Sequence, residues 1–209
     1  MIDLESLLAA ARAIAPQGVV IAASDPRAPS PPLWRGEILA GSVPKRLMEF
    51  AAGRAAARAA MAAFGPACAI PMGSDRAPIW PDGISGSITH SATACLAAVT
   101  RAPTLIGIDL EPATPLEADL WDIVLSPPER ATLGTGLHAK LIFSAKEAAY
   151  KAQYARSRTL LEFDALEITL GHGQFTARFT QDVPHFPQNT LLHGRFCQSE
   201  GHFLTLVAA

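Results

Sequence analysis

Cysteine is scarce in this chain: Cys68, Cys95 and Cys197 are the three among 209 residues. Their number is odd, their spacings are wide and no C-x-x-C pair occurs. That argues against a disulfide framework or a zinc site and reads as reduced thiols of a cytosol. No apolar run approaches the ~18 residues of a membrane-spanning helix. The opening Met-Ile-Asp-Leu-Glu is acidic and lacks the positive n-region of a signal peptide. An excess of one charge is missing too, since 17 Lys and Arg meet 19 Asp and Glu for a net charge of -2. A nucleic-acid binder would leave a basic footprint. Together these absences predict a soluble, cytoplasmic protein with no membrane span and no nucleic-acid partner, in which any basic site is local.

What is present is apolar bulk. The 49% hydrophobic content and mean hydropathy of +0.21 suit a compact globular chain. At this length about 70% of the unfolded surface can be buried without staples. One domain is expected, or two small halves sharing a core.

Leu4, Leu7, Leu8, Ala11 and Ile14 recur at helical spacing and stop at Pro16, and residues 18–23 read as a short strand. Asp25–Pro32 holds four prolines and is a loop. An Ala-rich helix is predicted from Pro44 to Phe64, ended by Gly65-Pro66. Residues 69–86 form a long Gly/Pro loop, and long ordered loops are often functional. Ser87–His90 leads into a strand over Cys95–Val99. A tight turn then passes to Leu105–Glu111, which suggests a hairpin with Asp109 and Glu111 at its exit. Thr114-Pro-Leu-Glu117 and Ser126-Pro-Pro-Glu129 both read as helix starts with an N-cap, a first-turn Pro and a Glu three residues on. A third helix covers about 138–156. Four apolar runs, 163–170, 174–179, 191–196 and 203–207, follow as an antiparallel series. The class is α+β, each half pairing a long helix with a small, mainly antiparallel sheet.

Chemistry concentrates in two segments. Ile106-Gly-Ile-Asp-Leu-Glu111 is an apolar strand ending in two carboxylates, and Asp109 and Glu111 point to one side of it. Phe143-Ser-Ala-Lys-Glu-Ala-Ala-Tyr-Lys-Ala152 is helical and sets Glu147 and Lys151 one turn apart. Adjacent carboxylates near a core repel unless a cation lies between them, and Mg²⁺ takes carboxylates together with substrate phosphate oxygens. Each residue also has a plain structural role open to it. Glu147 could complete a capping box with Ser144, unless the helix begins earlier. Lys151 could be only its ion-pair partner. Arg46 and Arg54 could belong to a solvated helix face, and His90 could be a strand-end histidine.

Taken together, Gly107–Glu111 and Phe143–Ala152 resemble the two signature motifs of the 4'-phosphopantetheinyl transferases. Three upstream blocks, Lys45–Arg54, Asp75–Gly83 and Gly86–His90, are similar to the enterobactin synthetase component D branch of that family, in the family's order. The resemblance implies two similar α/β halves related by a pseudo-twofold, residues 1–102 and 103–209, in one compact unit with coenzyme A in the cleft between them. The first half would bind the adenosine phosphates and the second would carry the metal site and catalytic helix.

It also implies transfer of phosphopantetheine from coenzyme A to a serine of an apo acyl, aryl or peptidyl carrier protein, with release of 3',5'-ADP. Asp109, Glu111 and Glu147 match the Mg²⁺ ligands. Arg46, Arg54, Arg76 and His90 match the residues holding the adenosine phosphates, and Lys146 and Lys151 the basic residues near the ligand phosphates. Glu147, with Lys151 beside it, is the expected catalytic base. A monomer is expected, since both halves lie in one chain. The rival readings are a metal-dependent phosphodiesterase, which the net charge disfavours, and a non-catalytic coenzyme A- or carrier-binding module. Such a module would have lost one of the three carboxylates, and all three are present.

Overall fold

Helix α1 (Leu4–Ile14) begins at Asp3, whose carboxylate accepts the amides of Glu5 and Ser6; such a cap contributes about 1 kcal/mol. The computed structural model describes residues 2–29 and 32–209, so two residues of the proline-rich loop, Ser30 and Pro31, lie outside the described residues. Strand β1 (Val20–Ser24) comes next, then α2 (Pro44–Met61) with Pro44 in its first turn, where a missing N–H removes no helical bond.

Strands β2 (Ile84–His90) and β3 (Cys95–Arg101) pair antiparallel, and β1 covers the other edge of β3, in the order β1-β3-β2. Strand β2 thus takes in Ile84–Gly86, which the glycine-rich pattern had placed in the loop. Beyond it lie β4 (Ile106–Pro112), the short helices α3 (Trp121–Val124) and α4 (Pro127–Ala131), and the long α5 (Gly136–Ser157). The four apolar runs become β5 (Leu166–Leu170), β6 (Gln174–Phe179), β7 (Leu191–Ser199) and β8 (His202–Ala208). With β4 they form an antiparallel sheet in the order β4-β8-β7-β6-β5. The fold is α+β, with two antiparallel sheets.

Two expectations fail. Strands β3 and β4 are not a hairpin. Both edges of β3 are taken by β1 and β2, while β4 pairs along its whole length with the C-terminal strand, Ile106 opposite Ala208 and Glu111 opposite Phe203. The tight turn hands the chain from one sheet to the other. Thr114-Pro-Leu-Glu117 starts no α-helix either; the chain stays irregular there until a 3-10 turn over Ala118–Leu120. The second start is real: Ser126 and Glu129 form a complete capping box on α4.

The two sheets meet edge to edge at β2 and β4, joined by side chains rather than a backbone ladder. The Ser87 hydroxyl accepts the Ile108 amide and the Thr89 hydroxyl the Leu110 amide, both at 3.1 Å. One core cluster crosses this seam, gathering Leu7, Ile21 and Leu96 with Ile108, Leu204 and Leu206. Helix α5 lies directly on β4. The contact is so close that a Cβ on Gly107 would sit 1.9 Å from the Ala148 carbonyl oxygen. Ala145, Ala148, Ala149 and Ala152, all fully buried, permit that approach. The alanine richness of this segment therefore reflects packing distance as well as helix propensity.

Candidate active site

Because α5 starts at Gly136, capped by the Thr135 hydroxyl on the His138 amide, Ser144 falls well inside the helix and Glu147 caps nothing. Ser144 is fully buried and, with Glu147 and Lys151, lies on the stripe of the helix that faces β4. It donates to Asp109 Oδ2 at 2.9 Å. On Oδ1 of the same carboxylate, Thr89 donates at 3.2 Å and the Lys151 ammonium at 2.6 Å. Asp109 is only 4% exposed. Lys151 also bonds the Ile108 carbonyl at 3.2 Å, and Lys140 reaches Glu111 at 3.3 Å.

Three carboxylates thus gather around one helix–strand contact, and the other two register it electrostatically. Burial raises the Glu147 carboxyl above its ordinary range; Asp109 and Glu111 raise it further, against the pull of Lys151. Burial, then Asp109, raises Glu111 in the same way, with Lys140 opposing. Mutually repelling hard oxygens of this kind suit a divalent cation. As the side chains stand, no three His, Cys, Asp or Glu groups among the described residues converge closely enough to hold one. Asp109 is turned to Lys151, Ser144 and Thr89, and Glu111 to Lys140.

The expected cations divide. The Arg46 guanidinium contacts the His90 ring and lies 3.3 Å from Glu49, which is in turn 3.6 Å from His90. Desolvation and then Arg46 lower the His90 pKa, so at neutral pH its ring nitrogen can accept from Arg46. Arg54 is buried on α2, donating through Nε to the Ile70 carbonyl at 3.0 Å with its guanidinium 4.0 Å above the Phe50 ring. Burial lowers it to about 10, still cationic, and among the described residues its Nη2 has no hydrogen-bond partner. An orphaned buried donor on a cation fits an anionic ligand that supplies the missing oxygen. Arg76 stands across a cleft of about 500 Å³ whose walls also include Trp80, Ser87, Tyr150 and Lys151.

Lys146 is not placed where the motif led one to expect a phosphate-binding lysine. It is 2% exposed, and its ammonium is spent on the Val124 and Phe163 carbonyls and Glu129 Oε2, each at 2.8 Å. Three donors meet three acceptors, leaving none for a phosphate. One residue along a helix turns the side chain by about 100°, so Lys146 is buried against Val124, Phe163 and Glu129 while Glu147 stays on the side of Asp109. The residues missed by the sequence reading are Thr89, Lys140 and Ser144. The alternation Ser85, Ser87, Thr89 along one strand was the available signal for the first.

Sequence comparison bears on the same segments. Residues 35–100 match the family model described as 4'-phosphopantetheinyl transferase N-terminal domain, and residues 105–207 match the 4'-phosphopantetheinyl transferase superfamily. The chain belongs to the 4'-phosphopantetheinyl transferase superfamily and is an enzyme of that class. It is 40% identical to 4'-phosphopantetheinyl transferase Svp of Streptomyces mobaraensis over 81% of this chain and 75% of that protein. Against 4'-phosphopantetheinyl transferase PptT of Mycobacterium tuberculosis it is 35% identical over 88% of each. Enterobactin synthase component D of Escherichia coli is 40% identical over 52% of this chain and 55% of its own length. Among the described residues no helix is long and apolar enough to cross a membrane.

Proposed function

We propose that this transferase moves the 4'-phosphopantetheine group from coenzyme A to a serine hydroxyl of an apo acyl, aryl or peptidyl carrier protein, leaving 3',5'-ADP. The observation that carries the reading is the β4–α5 contact, where Lys151 and Ser144 hold Asp109 and the carboxylates of Glu111 and Glu147 lie near enough to feel its charge. The serine oxygen forms a bond to the phosphorus that bears pantetheine, and the diphosphate bridge breaks with its electron pair leaving on 3',5'-ADP. Glu147 takes the serine proton. A positioned general base of this kind contributes about 10²–10⁴-fold. Lys151 orients Asp109 and adds positive charge beside the phosphates. Asp109, Glu111 and Glu147 would hold Mg²⁺, which when bound neutralises charge on the diphosphate.

In this reading residues 1–102 bind the adenosine phosphates and residues 103–209 carry the metal site and catalytic helix, in a cytoplasmic monomer. Arg54 supports the first part through its unpaired nitrogen; Arg46 adds charge near it with His90 beside Arg46, and Arg76 is a cation on the cleft wall. The relatives named for enterobactin synthase make a siderophore-type peptidyl or aryl carrier the first substrate to try.

Intact-mass spectrometry of an apo carrier with this protein, coenzyme A and Mg²⁺ tests the proposal. The carrier should gain one phosphopantetheine, and Asp109→Asn should abolish the gain. No gain across acyl, aryl and peptidyl carriers would overturn the reading.

A further inference from the structure

The long loop before β2 is not a loose cover. Residues 72–78 form a small hairpin, with the Gly73 amide on the Ala77 carbonyl at 2.8 Å, the Ile79 amide on the Pro71 carbonyl at 2.9 Å, and a bridge between Met72 and Pro78. At its tip the Arg76 amide reaches the Gly73 carbonyl at 3.0 Å, and Arg76 is held at φ 67, in the left-handed region that is costly for any residue with a Cβ. A non-glycine residue stays there only when its surroundings hold it.

Asp75 supplies the hold. Its Oδ1 accepts the Ala77 amide at 3.0 Å inside the turn, and a Cβ on Gly73 would lie 2.5 Å from that oxygen. Its Oδ2 points out of the turn and across the cleft. There it accepts the Tyr154 hydroxyl at 2.9 Å, with Arg158 Nη1 at 3.5 Å. Tyr154 and Arg158 are one turn apart on the last part of α5, Arg158 itself capping the helix with φ 54. The guanidinium lies 5.8 Å from the Tyr154 ring centre. Asp75, Arg76, Tyr154 and Arg158 all line the 500 Å³ cleft. The hydroxyl–carboxylate bond is charge-assisted and is the stronger contact; the exposed ion pair is the weaker. Consistently, the Asp75 carboxyl is held below its ordinary range first by the Tyr154 hydroxyl.

We propose that Tyr154 and Arg158 are positioning residues: from α5 they clasp Asp75 across the cleft and so present Arg76 to the ligand lying in it. Glu147, Lys151, Tyr154 and Arg158 follow one another at intervals of three and four residues. A single stripe of α5 therefore carries the reacting end of the site and fixes the loop at its far end. The ligand's identity as coenzyme A rests on the transferase reading above; the clasp itself does not.

The test is a double-mutant cycle of Tyr154→Phe and Asp75→Ala, read as KM and kcat for coenzyme A, with amide exchange at Ala77 in the ligand-free protein. Tyr154→Phe should raise KM about three- to tenfold with kcat within about twofold, and Asp75→Ala at least as much, because it also removes the acceptor of the Ala77 amide. The double variant should be no worse than Asp75→Ala alone, since Tyr154 has no clasp left to lose once the Asp75 carboxylate is gone. Asp75→Asn, whose one carbonyl oxygen can keep the Ala77 amide while its NH2 donates to the Tyr154 oxygen, should restore part of the affinity. Ala77 exchange should quicken in Tyr154→Phe at an unchanged melting temperature. Unchanged KM and exchange in Tyr154→Phe, or effects that simply multiply in the double variant, would overturn the clasp. If wild type neither binds coenzyme A nor modifies a carrier, the transferase reading fails, and Ala77 exchange alone still decides whether Tyr154 holds the loop.

Discussion

Helix α5 sends two lysines to two buried carboxylates, and the pairs differ in a way that separates scaffold from chemistry. Lys146 and Glu129 are closed. Every ammonium proton has an acceptor, and the Glu129 oxygens also take the Ser126 amide at 2.7 Å and the Ile168 amide at 2.6 Å. Lys151 and Asp109 are open. The lysine is partly exposed, and two further carboxylates, Glu111 and Glu147, stand nearby without full compensation. A saturated buried pair specifies packing, whereas a cluster short of positive charge has room for a ligand.

The sharpest way to split the two is by variants of α5. Glu147→Gln should reduce carrier modification about 10²–10⁴-fold. It should also leave the melting temperature equal or slightly higher, since an uncompensated buried acid is removed. Unfolding of this variant, seen by calorimetry, would mean that Glu147 is structural. Lys146→Met should do the reverse. By leaving Glu129 buried and unpaired it should cost about 3–5 kcal/mol, or roughly 10 °C in melting temperature. What remains folded should transfer at close to the wild-type rate per folded molecule. Adding Glu129→Gln to Lys146→Met should recover part of the loss.

Gly107→Ala attacks the contact between β4 and α5. Its new methyl meets the Ala148 carbonyl oxygen, and overpacking of this kind costs about 1–3 kcal/mol. Transfer should fall by more than the stability loss explains, because Asp109 and Lys151 are pushed apart while Lys146 and Glu129 are spared. Lys140→Met is the mildest test. Its pair with Glu111 is partly exposed and is worth no more than about 1 kcal/mol. The visible result should be a Glu111 carboxyl raised further in an NMR titration, since the Lys140 charge now lowers it.

Much of this was legible in the sequence. The strand ending in Asp109 and Glu111, the spacing of Glu147 and Lys151, and the capping box at Ser126 each rest on local periodicity. What escaped was non-local. A run of two strands over a short turn reads as a hairpin, yet β4 finds its partner nearly 100 residues later in β8, and nothing within residues 95–111 says so. Lys146 was misplaced for a different reason: motif adjacency suggested a shared role, while helical phase puts neighbours on different faces. Counting from Ser144 through Glu147 to Lys151 would have excluded it. Glu129 shows the opposite limit. Its capping role was readable, but its second oxygen serves Ile168 and its lysine comes from another helix.

The joint between the sheets gives Thr89 a double attachment. One hydroxyl accepts the Leu110 amide, part of the stitching that joins the two sheets, and donates to Asp109. A change in the tilt of one sheet against the other must therefore pass through an atom that also touches the central carboxylate. The alignment of the sheets and the orientation of Asp109 are read by the same oxygen.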